Sequence, residues 1–424
     1  VKALLVTHGT RGDVQPFLAL AVALRGAGHD VSLAAPESYA AQAQEHDVEF
    51  AALDEGPNRL LEDPVVRESI GNGYRGLRGK ISAVRTARRI KPLMSAVLHD
   101  LAAVARDTAD VDVVVHSPAL PAQHIAESLG VPAVLATLQP GWVPSSLFPC
   151  PMLPLPRVPK ALNRATYLAV SATLRAQAGA ANTWRATELG LPARRGGHDL
   201  LHDAGGAHRL VLQAFSPHAA QVDPAWPEQV RTTGFWFLPA AEAWSPSRRL
   251  AAFLDAGPPP VYIGFGSMAG PQADRTGAIV MEAVRRAGVR AVLATGWGGL
   301  GGTESSGEVL VIDQAPHDWL FPRMAAVVHH GGGGTTAAAL ATGRPQVVCP
   351  FVADQPHWAQ RMHIAGVAPA PVHQQKLTAE RLAAAITEAT SSTPMRESAA
   401  TLGALIRAEN GAAVAVRLLE EHLT

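Results

Sequence analysis

The sequence predicts an α/β protein built from two doubly wound parallel sheets. Three observations carry that prediction. The chain has 424 residues, more than the ~100–200 of one ordinary domain. Short apolar runs alternate with segments of helical spacing, and parallel strands buried on both faces read as such runs. The alternation then begins again after Gly257-Pro258-Pro259-Pro260, a break in periodicity.

Taken in order, Ala3-Leu4-Leu5-Val6-Thr7 is the first strand, Phe17 to Gly26 has helical spacing, and Val31 to Ala35 is the second strand. This is a strand, turn, helix, strand opening. Asn58 to Pro92 is rich in Arg and Gly and reads as a long irregular connection. Val113 to His116 is a strand, followed by a helix ending at Leu129 and a strand over Pro132 to Ala136. From Pro140 to Pro159, prolines alternate with Trp142, Phe148, Met152, Leu153 and Leu155. Connections of that length in compact α/β domains are commonly functional, and a loop packed on its own domain is the alternative. The second half has strands at Pro260–Phe265, Arg290–Thr295, Val309–Ile312, Ala326–His329 and Gln346–Cys349, with a helix from Asp274 to Arg286. The pattern turns helical from Pro394, with Leu402, Leu405, Ile406, Ala413, Val416, Leu418 and Leu419 at helical spacings. The expected organisation is a first domain at 1–236, a linker at 237–259, a second domain at 260–400 and a C-terminal helix at 401–424.

Composition narrows the function. Basic and acidic residues number 36 each, so no polyanion-binding field is advertised and nucleic acid is not an expected partner. Five Lys against 31 Arg, with abundant Ala, Gly and Pro, fits a GC-rich bacterial coding sequence, and the initial Val fits a GTG start. Cys150 and Cys349 are too distant to suggest a staple, so a reducing cytoplasm is the expected location. No basic leader with an apolar core opens the chain, and no run of ~18 apolar residues occurs, so no integral membrane association is expected.

The most informative stretch is Val327-Val328-His329-His330-Gly331-Gly332-Gly333-Gly334-Thr335-Thr336, followed by Pro350-Phe351-Val352-Ala353-Asp354-Gln355. It reads as a buried strand, a glycine turn and a helix start, then a second strand ending in a carboxylate and an amide. A helix start offers unpaired N–H groups and the positive end of a dipole, which suits a diphosphate. His330 can add one more hydrogen bond. Adjacent strand residues face opposite ways, so His329 and His330 do not chelate one ion together. Asp110-Val111-Asp112 forms the D-x-D string of some metal sites, but its place at the start of a strand reads as a solvated strand end. No resident metal or cofactor is expected.

These segments resemble the donor signature of the family 1 glycosyltransferases, GT-B enzymes with two Rossmann-like domains facing across a cleft. The likeness is to the bacterial and fungal branch that acts on sterols, macrolides and other lipophilic aglycones. It extends to Gly9-Thr10-Arg11-Gly12-Asp13-Val14-Gln15-Pro16, Ile263-Gly264-Phe265-Gly266-Ser267-Met268, Pro316-His317-Asp318-Trp319-Leu320-Phe321 and Asp354-Gln355-Pro356-His357-Trp358. The resemblance implies inverting, metal-independent transfer of a hexose from a UDP- or dTDP-sugar to a hydroxyl of a lipophilic small molecule. It implies a monomer or homodimer whose C-terminal helix returns to the first domain.

Residue by residue, the resemblance assigns the diphosphate to His330, Ser267, the Thr335 hydroxyl and the amides of Gly332, Gly333 and Gly334. It assigns the sugar hydroxyls to Asp354 and Gln355, and the nucleobase to main-chain groups near Ala315 and His317. Trp142, Phe148 and Met152 would line the acceptor pocket. Asp13 stands where many relatives carry the base in Gly-His-x-x-Pro, so it is the expected general base, with capping of a helix starting at Pro16 as its alternative. His8, where the family has a small or apolar residue, is a second candidate base. The chain departs from plant relatives twice: Gln314 replaces their stacking Trp, and Ala338 replaces the Glu that holds ribose hydroxyls. A nucleotide-sugar epimerase and a non-catalytic nucleotide-sugar-binding auxiliary protein are the alternative functions. A dinucleotide oxidoreductase would need G-x-G-x-x-G after the first strand, which His8 to Asp13 do not supply.

Overall fold

The computed structural model describes residues 1–63, 66, 76–108, 110–153, 155, 158–196, 198–266, 273–295 and 300–424. Two compact units divide the chain: Val1–Leu61 with Arg85–Leu238 and Glu409–Thr424, and Glu62–Val84 with Pro239–Ala408.

In the first unit, β1 (Lys2–Val6), β2 (Asp30–Pro36), β3 (Glu49–Leu53), β4 (Val113–His116), β5 (Ala133–Thr137), β6 (Val211–Gln213) and β7 (Val230–Thr232) form one sheet in the order β3-β2-β1-β4-β5-β6-β7. All its pairings are parallel. The order reverses beside β1, which places a topological switch point at the carboxyl ends of β1 and β4. Alternation sorts the strands between two cores. Ala3, Leu5, Val113, Val115, Val134 and Ala136 pack with α1 (Arg11–Gly26). Leu4, Val6 and Val114 pack on the other face with Val97 and Leu101, and with Ile125 of α5 (Gln123–Leu129).

The connections α2 (Ala40–Glu45), α3 (Gly56–Glu62) and α4 (Gly76–Asp107) correct the reading of 58–92 as irregular, because its second half lies inside α4. Pro92 sits inside that helix without ending it. The loop 140–159 is closed by α6 (Asn163–Thr166) and α7 (Leu168–Glu188).

In the second unit, β8 (Val261–Gly264), β9 (Ala291–Ala294), β10 (Val309–Ile312), β11 (Ala326–His329) and β12 (Gln346–Val348) form a parallel sheet in the order β10-β9-β8-β11-β12. The fold class expected from the sequence is the one observed. The segment expected to be a linker, 237–259, instead contains α8 (Arg248–Asp255) and buries Leu250 against Tyr262, Val292 and Leu310. Apolar residues at helical spacing inside it outweigh the flanking prolines. One sheet face is covered by α9 (Ala273–Ala287) and α13 (Ala379–Ser391). Between them in sequence lie α10 (His317–Leu320), α11 (Gly333–Ala341) and α12 (Gln355–Ile364).

The tail is two helices rather than one: α14 (Thr393–Glu409) and α15 (Gly411–Leu423) meet at Asn410, whose φ of +48° breaks the run. The first belongs with the second unit up to Ala408. The second buries Ala415, Val416 and Leu419 in the first unit's core. The division therefore falls at 408/409 and not at 400/401. No helix of the described residues is long and apolar enough to cross a membrane.

Candidate active site

The first unit's chemistry gathers where β1 ends. Gly9 has φ +139°, and a Cβ there would lie 2.4 Å from Asp13 Oδ2, so the turn requires glycine. Helix α1 begins at Arg11, not at Pro16 as expected. Asp13 is its third residue, and its Oδ2 accepts the Thr10 N–H at 2.8 Å and the Thr10 hydroxyl at 3.1 Å. With the Thr10 side chain facing the Asp13 N–H, that makes a capping box. The other oxygen, Oδ1, makes no hydrogen bond among the described residues. Cap and base are thus compatible, one oxygen serving each. Burial pushes the Asp13 carboxyl above the ordinary carboxylate range, against the opposing pull of Thr10 and of nearby His8.

His8 is buried, with Nε2 3.0 Å from the Asp54 carbonyl. A carbonyl only accepts, so Nε2 carries a proton. Asn58 Nδ2 donates to the Gly9 carbonyl at 2.8 Å, fastening α3 to the same turn. Asp112 lies at the opposite end of the sheet, where its carboxylate accepts the Lys2 N–H at 2.7 Å. That is a strand-end contact.

The residues expected to wall an acceptor pocket are packed more deeply than the sequence suggested. Phe148 is buried in a small cluster with Cys150 and Tyr167, and Met152 leans on that cluster and on Gly141. Trp142 packs against Leu135, Val143, Leu200 and Val211, while its buried Nε1 has no hydrogen-bond partner among the described residues. Alternating proline and aromatic residues cannot distinguish a pocket wall from a loop's own core, and here Phe148 belongs to the latter.

The second unit gathers the residues expected to bind the donor at the carboxyl ends of β11 and β12. Gly331 has φ +90°, and a Cβ there would meet Val348 at 2.8 Å. Gly332 caps α11, which begins at Gly333. The His330 ring lies over this start: a Cβ on Gly332 would come within 2.5 Å of Nε2, and one on Gly266 within 3.4 Å of Cε1. Its Nδ1 is buried and unpartnered among the described residues. Burial lowers the His330 pKa to about 4, so at neutral pH the ring is uncharged and donates from one nitrogen. Thr335 is half-buried in the first turn, while Thr336 is buried. Ser267 lies outside the described residues.

Asp354 Oδ2 accepts the indole N–H of fully buried Trp358 at 2.8 Å. Trp358 therefore packs, and holds the carboxylate near Gly333, whose hypothetical Cβ lies 3.9 Å from the same oxygen. Gln355 Oε1 accepts the Phe351 N–H at 2.8 Å and the Val352 N–H at 3.3 Å. Only its Nε2 end is left to donate outward. At the expected base site, Ala315 is buried, and His317 stacks on Phe321 at 4.3 Å and meets Tyr262 edge-on at 6.0 Å.

The sequence reading missed how the glycine turn is held. The Gly331 N–H donates to His329 Nδ1 at 3.0 Å, so Nε2 carries the proton given to Gln346 Oε1 at 2.8 Å. Gln346 Nε2 in turn donates to the Thr336 carbonyl at 3.4 Å. The chain links β11, β12 and α11, and burial, with His330 nearby, keeps His329 neutral by lowering its pKa to about 3. A polar residue opening an otherwise apolar strand, Gln346, was the available signal. Gln346→Leu leaves the buried His329 Nε2–H without its acceptor. It is expected to cost about 1–3 kcal/mol, read as a lowered melting temperature.

The chain matches two family models: the Glycosyltransferase family 28 N-terminal domain over residues 3–147, and the Erythromycin biosynthesis protein CIII-like C-terminal domain over residues 302–421. A sterol 3-beta-glucosyltransferase of Arabidopsis thaliana is 31% identical over 432 residues, covering 100% of this chain and 68% of that protein. One from Aspergillus terreus is 33% identical over 436 residues, covering 99% of this chain but 30% of the longer fungal protein. Among solved structures, the glycotransferase of kitacinnamycin superposes with TM-score 0.67 at 21% identity, covering 100% of this chain and 99% of that one. Glycosyltransferase VinC, solved in complex with dTDP, superposes with TM-score 0.66 at 18% identity, covering 100% and 99%. With a relative above 30% identity over the whole of this chain and the fold shared by these structures, the chain belongs to the family 1 glycosyltransferases of the GT-B fold.

Proposed function

We propose that this glycosyltransferase moves a hexose, with inversion, from a UDP- or dTDP-sugar to a hydroxyl of a lipophilic small molecule such as a sterol-like, macrolide or other polyketide aglycone. The observation that carries the reading is the second unit's donor edge, where a neutral imidazole stands over a glycine helix start beside Asp354 and Gln355. In the reaction, Asp13 Oδ1 takes the proton as the acceptor oxygen attacks the anomeric carbon. The bond from that carbon to the phosphate oxygen breaks, and the nucleoside diphosphate leaves with the electron pair.

Preorganised amides and His330 stabilise the developing negative charge, which is the service a cation renders elsewhere, so the reading requires no resident metal. Asp354 and the Gln355 amide orient the sugar. The sterol glucosyltransferase relatives favour a sterol-like acceptor, and the structural neighbours, with VinC bound to dTDP, favour natural products and a dTDP-sugar. The reading places the enzyme in the cytoplasm, as a monomer or homodimer.

The test is thermal stabilisation by a panel of UDP- and dTDP-sugars, followed by transfer to lipophilic alcohols. One nucleotide series should raise the melting temperature, and His330→Ala should abolish most of that rise. No stabilisation by either series, or turnover of the nucleotide sugar without acceptor, would overturn the proposal.

A further inference from the structure

Between Glu127 and Glu188 the chain contains no Asp or Glu, yet Arg157, Lys160, Arg164, Arg175 and Arg185 all occur there. Acidic residues number 36 in 424, so a gap of this length is a local charge asymmetry. Arg185 is spent internally, buried and paired with Glu127 at 2.6 Å. Lys160, Arg164 and Arg175 are exposed.

The same segment leaves apolar surface uncovered. Leu147, Leu155, Leu162 and Leu168 are 43%, 39%, 54% and 64% exposed. Along α7, Val170 and Leu174 pack half-buried on the first unit's small clusters, while Leu168, Ala169, Ala172 and Ala176 are exposed. The exposure is enforced rather than loose. Asn163 Nδ2 donates to the Ser146 carbonyl at 2.9 Å, the Cys150 N–H donates to Thr166 Oγ1 at 2.8 Å, and Tyr167 is buried against Phe148 and Cys150. These anchors fix the underside of the segment and hold the leucines outward.

We propose that Leu147, Leu155, Leu162 and Leu168, with Lys160, Arg164 and Arg175, form a docking surface for an anionic lipid bilayer. Leucines flanked by Lys and Arg, with no carboxylate, match the interfacial pattern in which apolar side chains enter the acyl boundary while cations meet anionic headgroups. A second copy fits less well. A two-fold contact would set the patch against itself, bringing the cations of each copy together with no acid to pair them. The inference goes beyond the transfer reaction and stands independently of it, while giving the first unit direct access to lipids and lipophilic alcohols.

The experiment is flotation of the full chain with phosphatidylcholine vesicles, with and without phosphatidylglycerol, at low and high salt. Binding is expected only with phosphatidylglycerol, and it should fall as salt shortens the screening length. Leu162→Glu with Leu168→Glu, and Lys160→Glu with Arg164→Glu, should each lower the bound fraction at least about tenfold. These exposed positions should leave the melting temperature and nucleotide stabilisation as in the wild type, which separates failure here from failure of the transferase reading. The proposal is overturned if phosphatidylglycerol vesicles do not bind the chain or bind both double variants equally. It is also overturned if sedimentation shows an oligomer that the leucine variant dissolves while vesicles remain unbound.

Discussion

Asp13→Asn is expected to reduce kcat for sugar transfer by about 10²–10⁴-fold, the usual worth of a positioned general base, while leaving donor affinity within a factor of about two. The substitution keeps the side-chain volume and an oxygen that can still accept from Thr10, so α1 retains its cap. What it removes is the proton acceptor on Oδ1. The pH profile supplies the second readout. Burial raises the Asp13 pKa, and a base works only when deprotonated. Wild-type kcat/KM should therefore climb through a limb lying above the ordinary carboxylate range of about 4, and the Asn variant should lose that limb. His8→Gln is the companion experiment: were His8 the base, this variant and not Asp13→Asn would carry the loss. Equal activity of the Asp13 variant would remove the assignment.

The sequence made the central strands legible because burial on both faces leaves continuous apolar runs such as Leu4-Leu5-Val6 and Val113-Val114-Val115. It did not reveal β6, a buried strand of only three residues, nor β3 and β7, the two edges of the larger sheet. Each edge is only partly buried, and β7 carries Arg231. At α1 two start signals compete. Pro16 fits a first helical position, whereas Thr10 and Asp13 have the spacing of a capping box. The box prevails, since it satisfies orphan donors that Pro16 cannot reach. At the candidate site, the glycine turn and the Asp354-Gln355 pair were legible because their chemistry is local in sequence. The link from His329 through Gln346 to Thr336 joins three elements, and no spacing encodes it. The same holds for Phe148, whose aromatic character was plain but whose burial depends on Tyr167, nineteen residues later in the chain.

At the donor edge, Gly332→Ala should weaken nucleotide-sugar binding at least as much as His330→Ala, although it deletes no contact. A methyl at 332 would sit 2.5 Å from His330 Nε2, closer than packed atoms tolerate, so the ring must leave its place over α11 or the helix start must shift. The backbone itself does not demand glycine there, because φ is −62° and ψ 142°, values open to any residue. Steric conflict with the imidazole is thus the specific cause, and it makes the two substitutions non-additive. His330→Ala removes a hydrogen bond to a charged group, worth about 1.5–3 kcal/mol, or roughly 10–150-fold in donor affinity. With the ring absent, the methyl at 332 has nothing to displace. The double variant should then bind UDP- or dTDP-sugar about as well as His330→Ala alone, measured by calorimetry. Additive losses would mean that Gly332 serves the phosphate through its own amide and not by making room for the imidazole. Full affinity in Gly332→Ala would remove His330 from the diphosphate altogether.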